Sequence, residues 1–193
     1  FLGDGALYMS EILRIAGQAG YESSLVKPTT WLGGEFIVWI THTFPVEQTK
    51  DPFMIAGILA MAITTLGSFW ALRKERTPVT ALLLALLAGS GGTLLFFGYV
   101  ELYTLGYAFA ILYFVSSWTC FRNGGSVWLP GVFLLLAMAS VLSSAILIPS
   151  YLLLLHWKFK GEGGKPDFRT STLILSLLPL AGAILVYIIF GSG

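Results

Sequence analysis

Long apolar runs, interrupted by a few clustered charges, are the feature of this sequence that most limits its fold. The longest run lies between Arg122 and Lys158 and contains no Asp, Glu, Lys or Arg. Only 11% of the 193 residues are charged and the mean hydropathy is +0.81, whereas a soluble domain carries roughly 25% charged residues. So few charges cannot cover the surface of a soluble fold of this length. We therefore predict an all-α protein whose helices form a polytopic membrane bundle.

The expected bundle occupies residues 52–193 and has about six spans. The single spans are predicted at residues 52–72, 79–98, 104–121 and 172–190. Residues 128–157 are too many for one ordinary span and few for two. We interpret this stretch as a short hairpin that turns around Ser140 to Ser144, where small polar residues cluster.

The distribution of basic residues supports the hairpin and assigns a side to each loop. With the hairpin, eight of the 11 Lys and Arg residues fall on one face, which the positive-inside rule puts in the cytoplasm. A single tilted helix would divide them into opposed clusters. We therefore expect residues 1–51 and the loop at 99–103 on the extracytoplasmic side of a bacterial-type inner (plasma) membrane.

Residues 1–51 are predicted to form an external loop with interfacial helices. Phe1 to Gly20 is amphipathic but too polar to cross a bilayer. Thr30 to Phe44 is apolar and aromatic, yet it is short and carries Glu35 and His42. We expect both segments to lie along the membrane surface.

Several function classes find no support in the sequence. Phosphate-binding loops and the HExxH zinc motif are absent from it, and the net charge of +1 does not indicate nucleic-acid binding. The single cysteine, Cys120, excludes an internal disulfide and a cysteine metal cluster, and we expect it to be a small buried apolar residue.

Two acidic residues stand out as candidates for chemistry, because the predicted topology brings both to one face. Asp4 lies between two glycines, and Glu101 lies in a very short loop between two apolar spans. Two carboxylates at a membrane boundary can serve as a general base and as an anchor for a substrate or a divalent metal ion. Tyr99 and Tyr103 flank Glu101, and we expect both to bind substrate.

Each of these residues also has a plainer interpretation. Asp before Gly is typical of turns and helix caps, and a Glu in a short loop is commonly a solvated charge. Lys27, before Pro28, has the charge to bind a lipid phosphate, but lysines in such loops are often solvated or extend toward the interface.

Three stretches together resemble one family. They are FLGDGALYMSEIL at 1–13, FFGYVELYTLGYAFAILY at 96–113, and WLPGVFLLLAMASVLSSAILIPSYLLLL at 128–155. In order and topology they are similar to the first external loop, the acidic second external loop and the paired short helices of GT-C membrane glycosyltransferases. That superfamily includes protein mannosyltransferase-like and aminoarabinose transferase-like enzymes.

The resemblance implies transfer of a sugar from a polyprenyl-phosphate donor to an unknown acceptor. It implies that Asp4 is the base that activates the acceptor and that Glu101 is a second acid that binds acceptor, donor or a metal ion. It makes Lys27 a contact for the donor phosphate. The family also implies a longer protein, in agreement with a chain that starts at Phe1 and ends just after an apolar run.

Two positions depart from the bacterial relatives. Leu102 stands where they tend to have Asn, and Ser140 to Ser143 holds no His in the turn of the hairpin. Because of these departures, the expected site has fewer polar residues than the sites of the bacterial relatives. A second hypothesis therefore stays open, in which the chain is a non-catalytic subunit or scaffold of a larger complex with membrane-protein partners. A transporter is the weakest hypothesis. It predicts charged residues in the middle of spans, and the predicted spans contain none there.

Overall fold

The computed structural model is all-helical, as predicted. It describes residues 5–17, 30–45, 47–48, 50–72, 102–123, 125–160, 181–182 and 188. Within these ranges lie six long α-helices: α1 (Gly5–Gly17), α2 (Trp31–Thr43), α3 (Asp51–Leu72), α4 (Thr104–Asn123), α5 (Trp128–Ser140) and α6 (Ile148–Lys160). A 310 helix at Leu142–Leu147 joins α5 to α6. The spans predicted at 79–98 and 172–190 lie essentially outside the described residues.

Helices α3 and α4 are long and apolar enough to cross a membrane. They have 22 and 20 residues, which corresponds to roughly 30 Å each at 1.5 Å per residue. One third of the most apolar window of α3 is buried inside the protein, so most of this helix presents apolar side chains to its surroundings. Leu66 and Phe69 are 69% and 67% exposed, as expected where lipid rather than water is the neighbour.

The loop before α3 is bonded to the first residue of the helix. The Asp51 carboxylate accepts hydrogen bonds from the backbone N–H groups of Glu47 and Gln48, at 3.0 and 2.6 Å. Small residues then recur on the buried face of α3, among them Ala56, Ala60 and Ser68. Because small side chains let helix axes approach closely, this face packs along α4.

Helices α4, α5 and α6 form a three-helix layer. Cys120 of α4 donates a hydrogen bond from its Sγ to the carbonyl of Gly125 at 3.2 Å, so the chain turns tightly into α5. At the other end of α5 the chain leaves the helix at Val141, which has extended backbone angles and lies where the turn is expected. The ring centroids of Phe121 and Trp157 are 4.4 Å apart, so α6 returns beside the end of α4.

Several hydroxyl groups inside the helices bond to the helix backbone. Thr64 donates to the carbonyl of Ala60 and Ser140 donates to that of Leu136, both at 2.8 Å. A hydroxyl that is satisfied within its own helix can be placed in an apolar medium at little cost. These helices are therefore suited to the core of a bilayer.

Candidate functional site

A large cavity among the described residues lies at the end of the bundle where α4 begins. Its volume is about 600 Å³, which is in the range of small-molecule sites. The lining residues are Thr30, Tyr103, Gly106, Tyr107, Ala110, Val141, Leu142, Ser143 and Ser144. We call this space the upper cavity.

One wall of the upper cavity is a stripe along the first two turns of α4. Tyr103, Gly106, Tyr107 and Ala110 follow the helical spacing of three and four residues. The backbone N–H of Tyr107 donates to the carbonyl of Tyr103 at 2.9 Å, which continues the helix back to Tyr103. The side chains of both tyrosines are thereby held on the same face.

The opposite wall is the turn between α5 and the 310 helix. A methyl group added at Gly106 would lie 2.6 Å from Cγ2 of Val141, so only glycine lets the turn approach α4 this closely. The backbone N–H of Ser144 donates to the carbonyl of Val141 at 2.9 Å and closes the turn. Ser143, which is exposed, and Ser144 thus come to the cavity as parts of an ordered turn.

Helix α2 completes the cavity from the third side. A methyl group on Gly33 would lie 2.6 Å from the carbonyl oxygen of Leu102 and 3.3 Å from that of Ser140. The backbone of α2 therefore touches both the entry to α4 and the end of α5. This contact brings Thr30, which precedes α2 and is buried, to the cavity wall.

The upper cavity combines aromatic rings with hydroxyl groups. Of its described lining residues, five carry a hydroxyl and none carries a charge. Such a wall can donate and accept hydrogen bonds and can stack against a ring, which suits a ligand rich in hydroxyl groups. A carboxylate base at this place would have to come from a residue beyond those named.

Of the predicted site residues, Tyr103 is the one that the structure describes. It lines the upper cavity and its side chain is 42% exposed. Asp4, Lys27, Tyr99 and Glu101 lie outside the described residues. Among the described residues, no group of three or more His, Cys, Asp and Glu side chains is placed to hold a metal ion.

Sequence reasoning did not identify Thr30, Tyr107, Ser143 and Ser144 as parts of a site. Tyr107 fits an aromatic stripe that indicates packing, and the serines fit a turn. The available signal was the helical spacing of Tyr103 and Tyr107, which puts both rings on one face.

Sequence reasoning also did not predict a buried carboxylate on α1. Glu11 is 4% exposed, and its Oε2 lies 3.9 Å from a guanidinium nitrogen of Arg14. The spacing of Tyr8, Glu11, Ile12 and Ile15 puts Glu11 on the apolar stripe of the helix. A buried carboxylate is costly unless it is paired or hydrogen-bonded, and the Arg14 guanidinium is such a partner for Glu11.

Comparisons of the chain with protein families, with curated proteins and with solved structures found no match.

Proposed function

We propose that this protein is a membrane glycosyltransferase that moves a sugar from a polyprenyl-phosphate donor to an acceptor at the extracytoplasmic face. The observation that carries the proposal is the upper cavity, whose wall of tyrosine and serine hydroxyls suits a sugar. Its position at one end of α4, a helix long and apolar enough to span a bilayer, also supports it. A lipid-linked donor keeps its tail in the membrane and presents its sugar at such a boundary.

In the proposed reaction, the upper cavity holds the donor sugar. Tyr103 and Tyr107 bind the hydroxyl groups and the face of the sugar ring. Glu101 lies two positions before Tyr103 in the chain, and in the proposal its carboxylate anchors the acceptor, the donor or a divalent metal ion. Tyr99 is a further substrate contact in the same loop.

The proposed chemistry is a single displacement. The carboxylate of Asp4 accepts the proton of the acceptor hydroxyl, and the acceptor oxygen forms a bond to the anomeric carbon. The bond from that carbon to the phosphate oxygen breaks, and the polyprenyl phosphate leaves with the electron pair. Lys27 balances the charge on the leaving phosphate. The configuration of the anomeric carbon inverts because attack and departure occur on opposite sides.

The test is transfer by the full-length protein reconstituted in liposomes together with an extract of its host membrane as the acceptor source. The donors are labelled polyprenyl-phosphate mannose and polyprenyl-phosphate aminoarabinose. For a general base, Asp4→Asn is expected to lower the rate by about 100-fold or more. The matched control is Glu35→Gln, which removes an exposed carboxylate on α2 and is expected to keep the rate.

Two results would contradict the proposal at different points. An unchanged rate for Asp4→Asn would remove Asp4 from the role of base while leaving the enzyme class intact. Consumption of neither donor by the unmodified protein would reject the donor class. Stoichiometric co-purification of partner proteins in that case would favour the scaffold hypothesis.

A further inference from the structure

Helix α2 crosses the end of the bundle at which the upper cavity lies. A methyl group on Gly33 would meet the carbonyl oxygen of Leu102, just ahead of α4, and that of Ser140, the last residue of α5. Farther along α2, Ile40 belongs to the same buried cluster as Phe53, which lies in the first turn of α3. One side of α2 is therefore covered by residues at the ends of three helices.

The other side of α2 carries exposed aromatic and polar residues. Trp31, Glu35, Trp39 and His42 are exposed. At about 3.6 residues per turn, these four lie within roughly a quarter of the helix circumference, opposite to the buried side. The buried residues are Gly33, Gly34, Ile37, Ile40 and Thr41. Trp31 and Trp39 therefore point away from the bundle, and we call them the tryptophan pair of α2.

The surroundings of the tryptophan pair are polar. Glu35 lies one helical turn from each tryptophan, and a carboxylate that faces hydrocarbon is costly. We therefore expect this side of α2 to meet water or lipid headgroups. Trp31 is 39% exposed and Trp39 is 51% exposed. Exposed apolar surface with polar residues around it is typical of an interaction site.

The ring of Trp39 is held in place by its neighbours. It lies nearly parallel to the ring of Phe36, with an interplanar angle of 10° and centroids 6.0 Å apart. The ring of Phe44 meets it edge-on, with centroids 6.2 Å apart. A side chain that is fixed before binding loses little entropy when a ligand covers it. Trp39 therefore presents a rigid aromatic platform at the surface.

The tryptophan pair lies next to the upper cavity. Thr30 lines the cavity and directly precedes Trp31 in the chain. Trp39 lies farther from the cavity, at a distance from Trp31 of about 12 Å along the helix at 1.5 Å per residue. A ligand whose end enters the upper cavity can therefore continue along α2 and cover both tryptophans if it is an extended chain.

The chemistry of this surface fits a chain of sugars. The face of an aromatic ring is negative and attracts polarised C–H groups, and one face of a sugar ring presents several of them. The hydroxyl groups of the same sugars can bond to the hydroxyl groups of the upper cavity. A hydrocarbon chain would contact the rings but would satisfy none of the polar groups beside them.

We propose that the tryptophan pair of α2 binds the acceptor, and that the acceptor is a saccharide chain whose terminal hydroxyl enters the upper cavity. That hydroxyl supplies the oxygen that attacks the anomeric carbon in the proposed displacement. The role of the saccharide as acceptor rests on the proposed function, whereas its binding to Trp31 and Trp39 can be measured without transfer.

The first test identifies the occupant independently of transfer. In the full-length protein, Phe44 is replaced by the photoreactive p-benzoylphenylalanine, and cells of the host are illuminated. We expect mass spectrometry to find a saccharide adduct on the protein, and Trp39→Ala to reduce its yield by about tenfold. The same photoreactive group at Phe69, which is 67% exposed on α3, is the matched control and is expected to give lipid adducts.

The second test measures how the acceptor saturates transfer, with the host membrane extract as its source. Trp39→Ala is expected to raise the extract concentration for half-maximal transfer by about tenfold and to leave the maximal rate and the saturation by donor unchanged. Trp39→Phe keeps an aromatic ring and is expected to keep most of the binding. Trp70→Ala removes an exposed tryptophan of α3 and is expected to have no effect. The label is expected on a sugar residue of the isolated product.

The outcomes separate this inference from the proposed function. Saccharide adducts at Phe44 of a protein that consumes neither donor would reject the proposed function and leave the saccharide site in place. Transfer of label to a protein side chain or a lipid headgroup, or equal acceptor saturation in Trp39→Ala, would overturn the inference alone. A protein or lipid adduct at Phe44, or the lack of any adduct, would also overturn it.

Discussion

The hydroxyl oxygen of Tyr113 lies 2.6 Å from Oγ of Ser150 and joins α4 to α6 across 37 positions of the chain. Ser150 also donates to the carbonyl of Leu147, so the three groups form a short chain of hydrogen bonds. This chain ties the middle of α4 to the point where the 310 helix becomes α6. The return of the chain beside α4 therefore rests on polar as well as apolar contacts.

The first prediction concerns the strength of this link. Tyr113→Phe is expected to lower the free energy of unfolding by about 1 kcal/mol, because it removes the part-buried hydrogen bond to Ser150. Ser150→Ala is expected to cost somewhat more, because it also removes the bond to the carbonyl of Leu147. The double variant is expected to cost less than the sum of the two, since both changes delete the same bond. Thermal unfolding of the purified protein in detergent measures all three. Full additivity would mean that the two hydroxyls do not interact.

The second prediction concerns the contact between α2 and the bundle. A methyl group at Gly33 would meet the backbone oxygen of Leu102 at 2.6 Å, whereas one at Gly67 would meet Cδ2 of Leu112 at the same distance. A leucine methyl can rotate away and a backbone carbonyl cannot. Gly33→Ala is therefore expected to destabilise the protein by about 1–3 kcal/mol, and Gly67→Ala by less.

Thermal unfolding of the two alanine variants under the same conditions checks the second prediction. Both substitutions gain the same helix propensity, so the difference between them reports the cost of moving α2. An equal melting temperature for the two variants would show that α2 shifts without loss.

The bounds of the long helices could be predicted because charges and apolar runs change abruptly in this sequence. The span expected at 52–72 coincides with helix α3 (Asp51–Leu72), and the span expected at 104–121 coincides with helix α4 (Thr104–Asn123). Apolar residues must continue for about 20 positions to cross a bilayer, so the first charge at each end indicates the limit of the helix. The turn expected at Ser140 to Ser144 rests on a different signal, the cluster of small polar residues, and α5 ends within that cluster with Val141 as its C-cap.

The walls of the upper cavity could not be predicted in this way. Tyr107 and Tyr113 belong to the same aromatic stretch of α4, yet Tyr107 lines the upper cavity while Tyr113 is buried and bonded to Ser150. Which residues of a uniformly apolar helix face a neighbour depends on the packing of other helices, because hydropathy does not vary around the helix. The burial of Glu11 could not be predicted for a related reason, because it depends on which part of the protein covers the apolar stripe of α1.

The third prediction tests whether the upper cavity is the place where substrate binds. Ala110 lines it, and Ala110→Phe is expected to fill part of its volume. Glycosyl transfer is then expected to fall by at least about tenfold, since each lost contact of roughly 1.4 kcal/mol costs a factor of ten. The same substitution at Ala62, which is exposed on α3, serves as the control for folding and insertion.

Unchanged transfer by Ala110→Phe would contradict the assignment of the upper cavity, provided that its melting temperature matches that of Ala62→Phe. A fall in transfer for both variants would point to a general effect of added bulk. Only a loss confined to the cavity variant agrees with the proposed function.

The fourth prediction tests the sidedness on which the proposed function rests. Cys120 is 2% exposed and donates its only proton to the carbonyl of Gly125, so it is expected to resist thiol reagents until the protein is unfolded. New cysteines at Ser143 and Ser126, which are both exposed, can then be labelled without removing it. Gly125 lies beside Cys120 near the end of α4, and Val141 lies beside Gly106 near its start. Because α4 is long and apolar enough to cross a membrane, the two positions are expected to report its two faces.

In sealed cells, a membrane-impermeant maleimide is expected to label Ser143→Cys rapidly and to leave Ser126→Cys unmodified until the membrane is opened. Arg122 and Lys158 lie at the same end of α4 and α6 as Ser126, so this result would put that end of the two helices in the cytoplasm. The reverse pattern would put the upper cavity in the cytoplasm, where the proposed extracytoplasmic transfer cannot occur. Labelling of both positions from outside would be incompatible with a bundle that crosses the bilayer between them.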